Sequence, residues 1–148
     1  MVCLNDLIQD VHDLLRPQSL HWKTDVRVEA PSERVSVVLQ SAASLRGAVL
    51  NIVLNAMEAT GTDGIVVIQL ARKEDRVLLE VRDNGPGFPF TTDDLTDVFR
   101  TTKPEGIGLG LTIAEHAVSQ ENGVLQIARE ERWTCVRIRL APALPTEP

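Results

Sequence analysis

An α/β fold is predicted, a two-layer sandwich in which three helices cover one face of a mixed, mostly antiparallel sheet. Three observations predict it. Apolar residues recur at helical spacing over 3–16, 45–59 and 108–120. Two pairs of segments, 65–71 with 76–82 and 124–128 with 134–140, alternate apolar and polar residues and are joined by short charged loops. A length of 148 residues suffices for one domain with a real core.

Residues 3–16 read as an amphipathic helix, with Asn5 as its N-cap and Leu7, Ile8, Val11, Leu14 and Leu15 along one side. Pro17 ends it. His12 and Asp13 read as solvated helix residues rather than as a phospho-acceptor beside its base. Residues 24–30 alternate as a half-buried strand does, and Pro31, Ser32 and Glu33 turn the chain. A short second strand is expected within 34–39, and Ser41 or Ser44 caps the next helix.

That helix, over 45–59, is the centre of the reading. Leu45, Ala48, Val49, Ile52, Ala56 and Ala59 form an apolar stripe. Asn51, Asn55 and Glu58 stand at i, i+4 and i+7 and share a second face. Two carboxamides one turn apart on an otherwise apolar helix are costly to bury without partners, so they need something polar to hold. Residues 60–64, with two glycines, break the helix. A hairpin through Arg72, Lys73, Glu74 and Asp75 links the next two strands, and the second runs directly into Asp83. Residues 88–105 lack periodicity apart from a short helical candidate over 93–99. The last helix, 108–120, stops at Glu121-Asn122-Gly123. A final strand pair follows around Arg129, Glu130, Glu131 and Arg132, so the domain spans 1–140 and the proline-rich residues 141–148 form a tail.

A net charge of −6, without a cluster of Lys and Arg, argues against a nucleic-acid partner. An acidic chain can still hold a nucleotide, because backbone amides and a divalent cation can meet the phosphates. Cys3 and Cys135 make no metal-ligand spacing and read as reduced thiols of a cytosolic domain. No apolar run approaches membrane-spanning length, so no direct membrane contact is expected of this fragment.

Two glycine-rich stretches bear on what the carboxamides hold. Asp83-Asn84-Gly85-Pro86-Gly87-Phe88 closes a strand; its glycines let backbone approach a flat ligand, and a carboxylate there can accept from an exocyclic amine. Gly106-Ile107-Gly108-Leu109-Gly110-Leu111 opens a helix, which aims free N–H groups and a positive dipole end at an anion. It lacks the Gly-Lys-Ser/Thr ending of a P-loop and the acidic ribose partner of a dinucleotide site.

In this order, the three elements resemble the ATP-binding domain of the GHKL superfamily. Sensor histidine kinases, gyrase-type topoisomerases, ninety-kilodalton heat-shock chaperones and mismatch-repair ATPases share it. Residues 50–56, with Asn51 and Asn55, look like the histidine-kinase N box, and 83–87 like the G1 box. Residues 98–104 resemble the F-box region and 106–111 the G2 box. Thr101-Thr102-Lys103-Pro104 is most similar to kinases of the nitrogen-regulation type.

The resemblance implies a Bergerat-type fold that binds ATP and Mg²⁺. By it, Asn55 coordinates the metal with Asn51 beside it, and a carboxamide oxygen suits that hard cation. Asp83 accepts from the adenine amine, with Gly85, Gly87 and Phe88 around the base. Gly106, Gly108, Leu109, Gly110 and Leu111 carry the phosphate-facing helix start. Thr101, Thr102 and Lys103 lie in a lid, where Lys103 is either a terminal-phosphate contact or a solvated lysine. Hydrolytic members carry Glu where this chain has Asn51, and a carboxamide takes no proton at neutral pH. The implied activity is therefore histidine phosphorylation in a separate dimerisation domain, followed by transfer to a response regulator. Asn51, Asn55 and Lys103 are the catalytic candidates. His12, His21 and His116 do not fit an acceptor motif, so a catalytic fragment is expected. The alternatives are a regulatory nucleotide-binding module and a GHKL-type ATPase or serine kinase. Trp133-Thr134-Cys135 stands where many sensor kinases have a final glycine box.

Overall fold

The computed structural model describes residues 1–85 and 107–143, the side chains of 107–110 excepted. Strand β1 (Val2–Cys3) leads into helix α1 (Leu4–Trp22), then β2 (Asp25–Glu29), β3 (Ser36–Val37) and helix α2 (Ala42–Thr60). Strands β4 (Ile65–Lys73) and β5 (Arg76–Asp83) follow. After the stretch not described come helix α3 (Ile107–Gln120) and strands β6 (Val124–Glu130) and β7 (Trp133–Leu140). Five strands form one sheet in the order β2-β4-β5-β7-β6. Only β2 and β4 are parallel, since α2 carries the chain across between them; the other pairs are antiparallel. Strands β1 and β3 make a separate antiparallel pair. The expected two-layer sandwich is the fold found, with α1, α2 and α3 against the sheet. The helix candidate over 93–99 lies outside the described residues.

Helix α1 differs from expectation in three ways. Asn5 is not its N-cap; that place belongs to Cys3, which makes no side-chain cap. The Asn5 carboxamide instead donates to the Pro31 and Glu33 carbonyls at 3.1 Å each and accepts from Val35 N–H at 2.7 Å. It holds the loop that feeds β3. Second, Pro17 does not end the helix, which runs to Trp22. Pro17 and Asp13, whose carbonyl loses its helical donor, both lie on the exposed face of the helix. The stop is Lys23 at φ 56, whose N–H returns to Leu20. Third, Leu14 is 62% exposed, and Leu4 takes its place in the core with Leu7, Ile8, Val11 and Leu15.

Helix α2 starts at Ser41, whose Oγ accepts from Ser44 N–H at 3.1 Å. Glu121, just past α3, accepts from Gln40 and Ser41 N–H at 2.7 and 3.0 Å. A carboxylate from the end of α3 therefore sits on the positive end of α2. This fixes α3 antiparallel to α2. Helix α2 ends at Gly61, φ 69, whose N–H bonds the Met57 carbonyl at 3.1 Å. Its buried surface is wider than one stripe: Val53 and Met57 join Leu45, Ala48, Val49, Ile52 and Ala56, because α1 and α3 flank it above the sheet. Ala59 is exposed instead of buried.

Register puts Val66, Ile68 and Leu70 of β4 beside Asp83, Val81 and Leu79 of β5. These in turn face Thr134, Val136 and Ile138 of β7, and Arg129, Ile127 and Leu125 of β6 complete the rows. This is the helix-facing surface, aliphatic along its length and polar in its last row. On the opposite surface Glu80, 5% exposed, is bonded by Arg137 and approached by Arg82 at 3.2 Å. Glu130 pairs with both arginines, and Arg82 lies 5.7 Å from the Trp133 ring centre. The same corner of the sheet is thus braced from behind. Both hairpins turn on two residues, with Glu74 and Glu131 at φ 45 and 53, so the strands run further than their alternation predicts.

Removing the Asn5 carboxamide leaves one N–H and two carbonyls in the 31–35 loop without that partner. Asn5→Ala is expected to cost roughly 2 kcal/mol in urea unfolding, whereas Gln9→Ala, on the exposed face of the same helix, stays within about 0.5 kcal/mol of wild type.

Candidate functional site

The polar end of the sheet is built from three strands. Asp83 closes β5, Thr134 opens the inward row of β7, and Arg129 stands opposite it on β6. Asp83 is 4% exposed and Thr134 2%. Beyond Asp83 the backbone turns at once. Asn84 anchors that turn to the start of β4: its Oδ1 accepts from Ile65 N–H at 2.9 Å, and its own N–H reaches the Ile65 carbonyl at 3.2 Å. Gly85 N–H then donates back to Asp83 Oδ1 at 3.0 Å.

Gly85 has no alternative. A Cβ there would stand 2.9 Å from the Ala59 carbonyl oxygen and 3.0 Å from Asp83 Oδ1. The turn is therefore pressed against the last turn of α2, one helical repeat beyond Asn55. Sequence order alone separates Asn55 from Asp83 and Gly85 by a hairpin; the fold brings them to one end of the molecule.

Asn55 is half-buried, and its Nδ2 is fully enclosed with no hydrogen-bond partner among the described residues. Such an orphaned amide in a packed helix is costly, and it marks a place for an added polar group. Asn51, one turn earlier, is also half-buried. It lines a groove of about 480 Å³ between α2 and α3, with Gly47 and Ala48 on one wall and Ile113, His116 and Ala117 on the other. The 14 residues of α3 reach back along α2 from Glu121, so the first turn of α3 lies toward Asn55. Gly108, Leu109 and Gly110 fall in that first turn, one residue further into the helix than expected, and Leu111 is 1% exposed beneath it. The helix start leaves backbone N–H groups without helical acceptors there.

Burial pushes the Asp83 carboxyl above its ordinary value; the Gly85 N–H and the Arg129 charge pull against that rise. Arg129 Nη1 donates to the Gly85 carbonyl at 2.9 Å and to Thr134 Oγ1 at 2.6 Å. No cluster of three His, Cys, Asp or Glu side chains is placed to hold a metal among the described residues. A cation bound at this end would meet carboxamide oxygens of Asn51 and Asn55 and whatever oxygens its ligand brings. That donor set fits Mg²⁺, which keeps few protein ligands. Gly87, Phe88, Thr101, Thr102, Lys103 and Gly106 lie outside the described residues. The structure adds two residues that the sequence reading left without a role, Thr134 and Arg129. Strict alternation from Leu125 and Ile127 puts Arg129 inward, and a charge at an inward position is the signal that could have found it.

Residues 40–144 match the histidine kinase-, DNA gyrase B-, and HSP90-like ATPase family. Sensor histidine kinase ZraS of Escherichia coli strain K12 is 33% identical over 70% of this chain and 20% of its own length. The C4-dicarboxylate transport sensor protein DctB of Rhizobium meliloti is 27% identical over 95% of this chain and 23% of its own. The chain thus spans about a quarter or less of these relatives. Among solved structures, the catalytic domain of histidine kinase ThkA superposes with a TM-score of 0.82 at 26% identity, covering 95% of this chain and 93% of that one. The chain belongs to the histidine kinase-, DNA gyrase B- and HSP90-like ATPase family, as an ATP-binding catalytic domain of the sensor histidine kinase type.

Proposed function

We propose that this domain holds Mg·ATP between α2, the start of α3 and the Asp83–Gly85 turn, and presents the γ-phosphoryl group to a histidine on a separate dimerisation domain. A response regulator then receives it. The observation that carries the reading is the half-buried Asn55 carboxamide, one helical repeat from Ala59, against which the Gly85 turn is pressed. Its enclosed Nδ2 lacks an acceptor among the described residues, which a phosphate oxygen would supply while Oδ1 is left for the metal. A structural helix gains nothing from such a group; a ligand-binding helix does.

In this reading Asp83 accepts from the exocyclic amine of adenine, and Gly85, Gly87 and Phe88 shape the space for the ring. Asn55 and Asn51 offer carboxamide oxygens to the metal, which when bound neutralises charge on the phosphates. Gly108 and Gly110 let the first turn of α3 approach those phosphates. Thr101, Thr102, Lys103 and Gly106 belong to the covering segment. Asn51 supplies no base, so water beside it is not activated, and the nucleophile with its base comes from the partner domain. The groove beside Asn51, with Ile113 51% exposed at its wall, is the place where that partner reaches the phosphates. Histidine kinase ThkA has been solved in complex with the response regulator protein TrrA, which supports a response regulator as the later acceptor. No described helix is long and apolar enough to cross a membrane. We place the domain in the cytoplasm, where ATP and such a regulator are found.

Asn55→Ala is expected to weaken Mg-dependent ATP binding by at least about tenfold in calorimetric titration without lowering the unfolding midpoint, because the lost amide has no internal partner. Trans-phosphorylation of a cognate dimerisation domain should fall with it, and wild-type labelling by Asn55→Ala removes the assignment.

Asp83→Asn separates binding from stability. A carboxyl whose folded value is raised favours the fold when protonated; that contribution is present below its unfolded value and is lost as pH rises through the folded one. At pH 7.5 the ionised group is therefore held at a cost. The variant should melt no lower than wild type at pH 7.5 and lose any advantage toward pH 4, while its ATP affinity collapses. Asn51→Glu restores a carboxylate beside the phosphates and is expected to raise basal ATP hydrolysis; an unchanged rate contradicts the role given to Asn51.

A further inference from the structure

We infer that Arg129 is a positioning residue that sets the base selectivity of the nucleotide site, by holding the Gly85 carbonyl and the Thr134 hydroxyl in fixed relation to Asp83. The inference rests on the proposed nucleotide site and adds to it a residue outside its glycine and asparagine motifs.

Gly85 is gripped from three sides. The Ala59 carbonyl fills the place a Cβ would take, the Gly85 N–H is taken by Asp83 Oδ1, and the Gly85 carbonyl is taken by Arg129 Nη1. The first contact fixes where the turn stands, and the other two fix how its peptide planes are rotated. Because Asp83 Oδ1 is spent on Gly85 N–H, the tilt of that peptide orients the whole carboxylate and decides where Oδ2 stands. Oδ2 is the acceptor left for an exocyclic amine.

Arg129 is well suited to this task. It comes from β6, an edge strand, so its backbone does not move with the turn it holds. The same Nη1 bonds Thr134 Oγ1, and Thr134 is the direct cross-strand neighbour of both Arg129 and Asp83. A planar guanidinium on two acceptors transmits orientation, where a lysine ammonium would supply charge with less direction. Its positive charge also favours the ionised form of Asp83, which must accept rather than donate if it is to recognise an amine. An acidic residue oriented in this way selects a base with an amino group and rejects one with a carbonyl oxygen at the same position, since two acceptors would then face each other.

The test compares ATP with inosine triphosphate, which has oxygen where adenine has its amine, on the intact chain with Mg²⁺. Displacement of a fluorescent nucleotide gives both affinities. Wild type should prefer ATP. Arg129→Met, which keeps side-chain length but removes the donors, should lower that preference by about tenfold or more through ATP alone, leaving inosine triphosphate within about threefold. Arg129→Lys should recover part of the preference. If Arg129→Met does not fold, Thr134→Val removes one of the two anchors and should lower the preference in the same direction. An equal loss for both nucleotides marks a merely structural residue and overturns the inference, as does an unchanged preference in a folded variant. Wild type that binds neither nucleotide overturns the site reading itself, and the inference with it; wild type that prefers ATP beside an Arg129→Met with the same preference overturns the inference alone.

Discussion

The close approach of the Gly85 turn to the Ala59 carbonyl, which leaves no room for a Cβ at residue 85, is the constraint on which the proposed site depends. It joins the end of a helix to the end of a strand with no side chain between them. The geometry on both sides is fixed elsewhere. Gly61 halts α2 one turn after Met57, and Thr24 Oγ1 bonds the Gly61 carbonyl at 3.2 Å, tying that stop to the end of α1. Asn84 clamps the strand end to β4. With both partners pinned, Asn55 stands one repeat back from Gly85 whatever the rest of the loop does. A Cβ at residue 85 would stand 2.9 Å from the Ala59 carbonyl oxygen, so α2 and the turn would have to separate to admit it.

The molecule concentrates its unfavourable choices at this end. Along the sheet the inward rows are Val, Ile and Leu, and the facing helices bury Leu4, Leu45, Ile52 and Met57 almost completely. Full burial of each large aliphatic side chain is worth about 1.5–3 kcal/mol. Against that reserve stand the Asn55 Nδ2, enclosed and without a partner among the described residues, and the buried Asp83 carboxyl raised above its ordinary value. Neither improves packing. Polar groups held against their own solvation cost, side by side at the end of an otherwise apolar core, are what a preorganised binding site looks like before its ligand arrives. On the far side of β5, β7 and β6, Glu80, Glu130, Arg82 and Arg137 form an ion-pair network behind the same corner.

Much of this was legible in the residues, for a physical reason: α2 and the inward strand faces obey simple periods. The hairpins, the parallel crossover implied by a helix between two strands, and the neighbourhood of Asn51 and Asn55 all follow from spacing. The failures also have causes. Asn5 has the chemistry of an N-cap, yet its carboxamide satisfies three groups of a loop some thirty residues away, which no local rule can see. Pro17 removes one helical donor, but Pro17 and Asp13 lie on the exposed face and the helix continues past them to Trp22. Ala59 fits the stripe by angle but sits past the point where the neighbouring helices cover it. Arg129 and Thr134 depend on register between strands, so their meeting with Asp83 is a property of the sheet rather than of any motif. Six of the fourteen candidate residues, Gly87, Phe88, Thr101, Thr102, Lys103 and Gly106, lie outside the described structure.

Asn51 shows where the chemistry is divided. A carboxylate at that position would sit a helical turn from Asn55 and beside the phosphates, able to take a proton from water. A carboxamide keeps the shape and the oxygen but has no basicity to lend. Phosphoryl transfer needs little from the protein beyond alignment and charge neutralisation, so a domain that binds without activating water is not defective. In the proposed function, it holds the nucleotide until a nucleophile is brought to it. In the same proposal, the groove beside Asn51 between α2 and α3 is the route by which that nucleophile arrives. Glu121 fixes the two helices that form its walls, since it caps the first from the end of the second. Asn51, to which the proposal gives the withholding of hydrolysis, therefore lines the very groove to which it gives the partner's approach, and both follow from the placing of one helix.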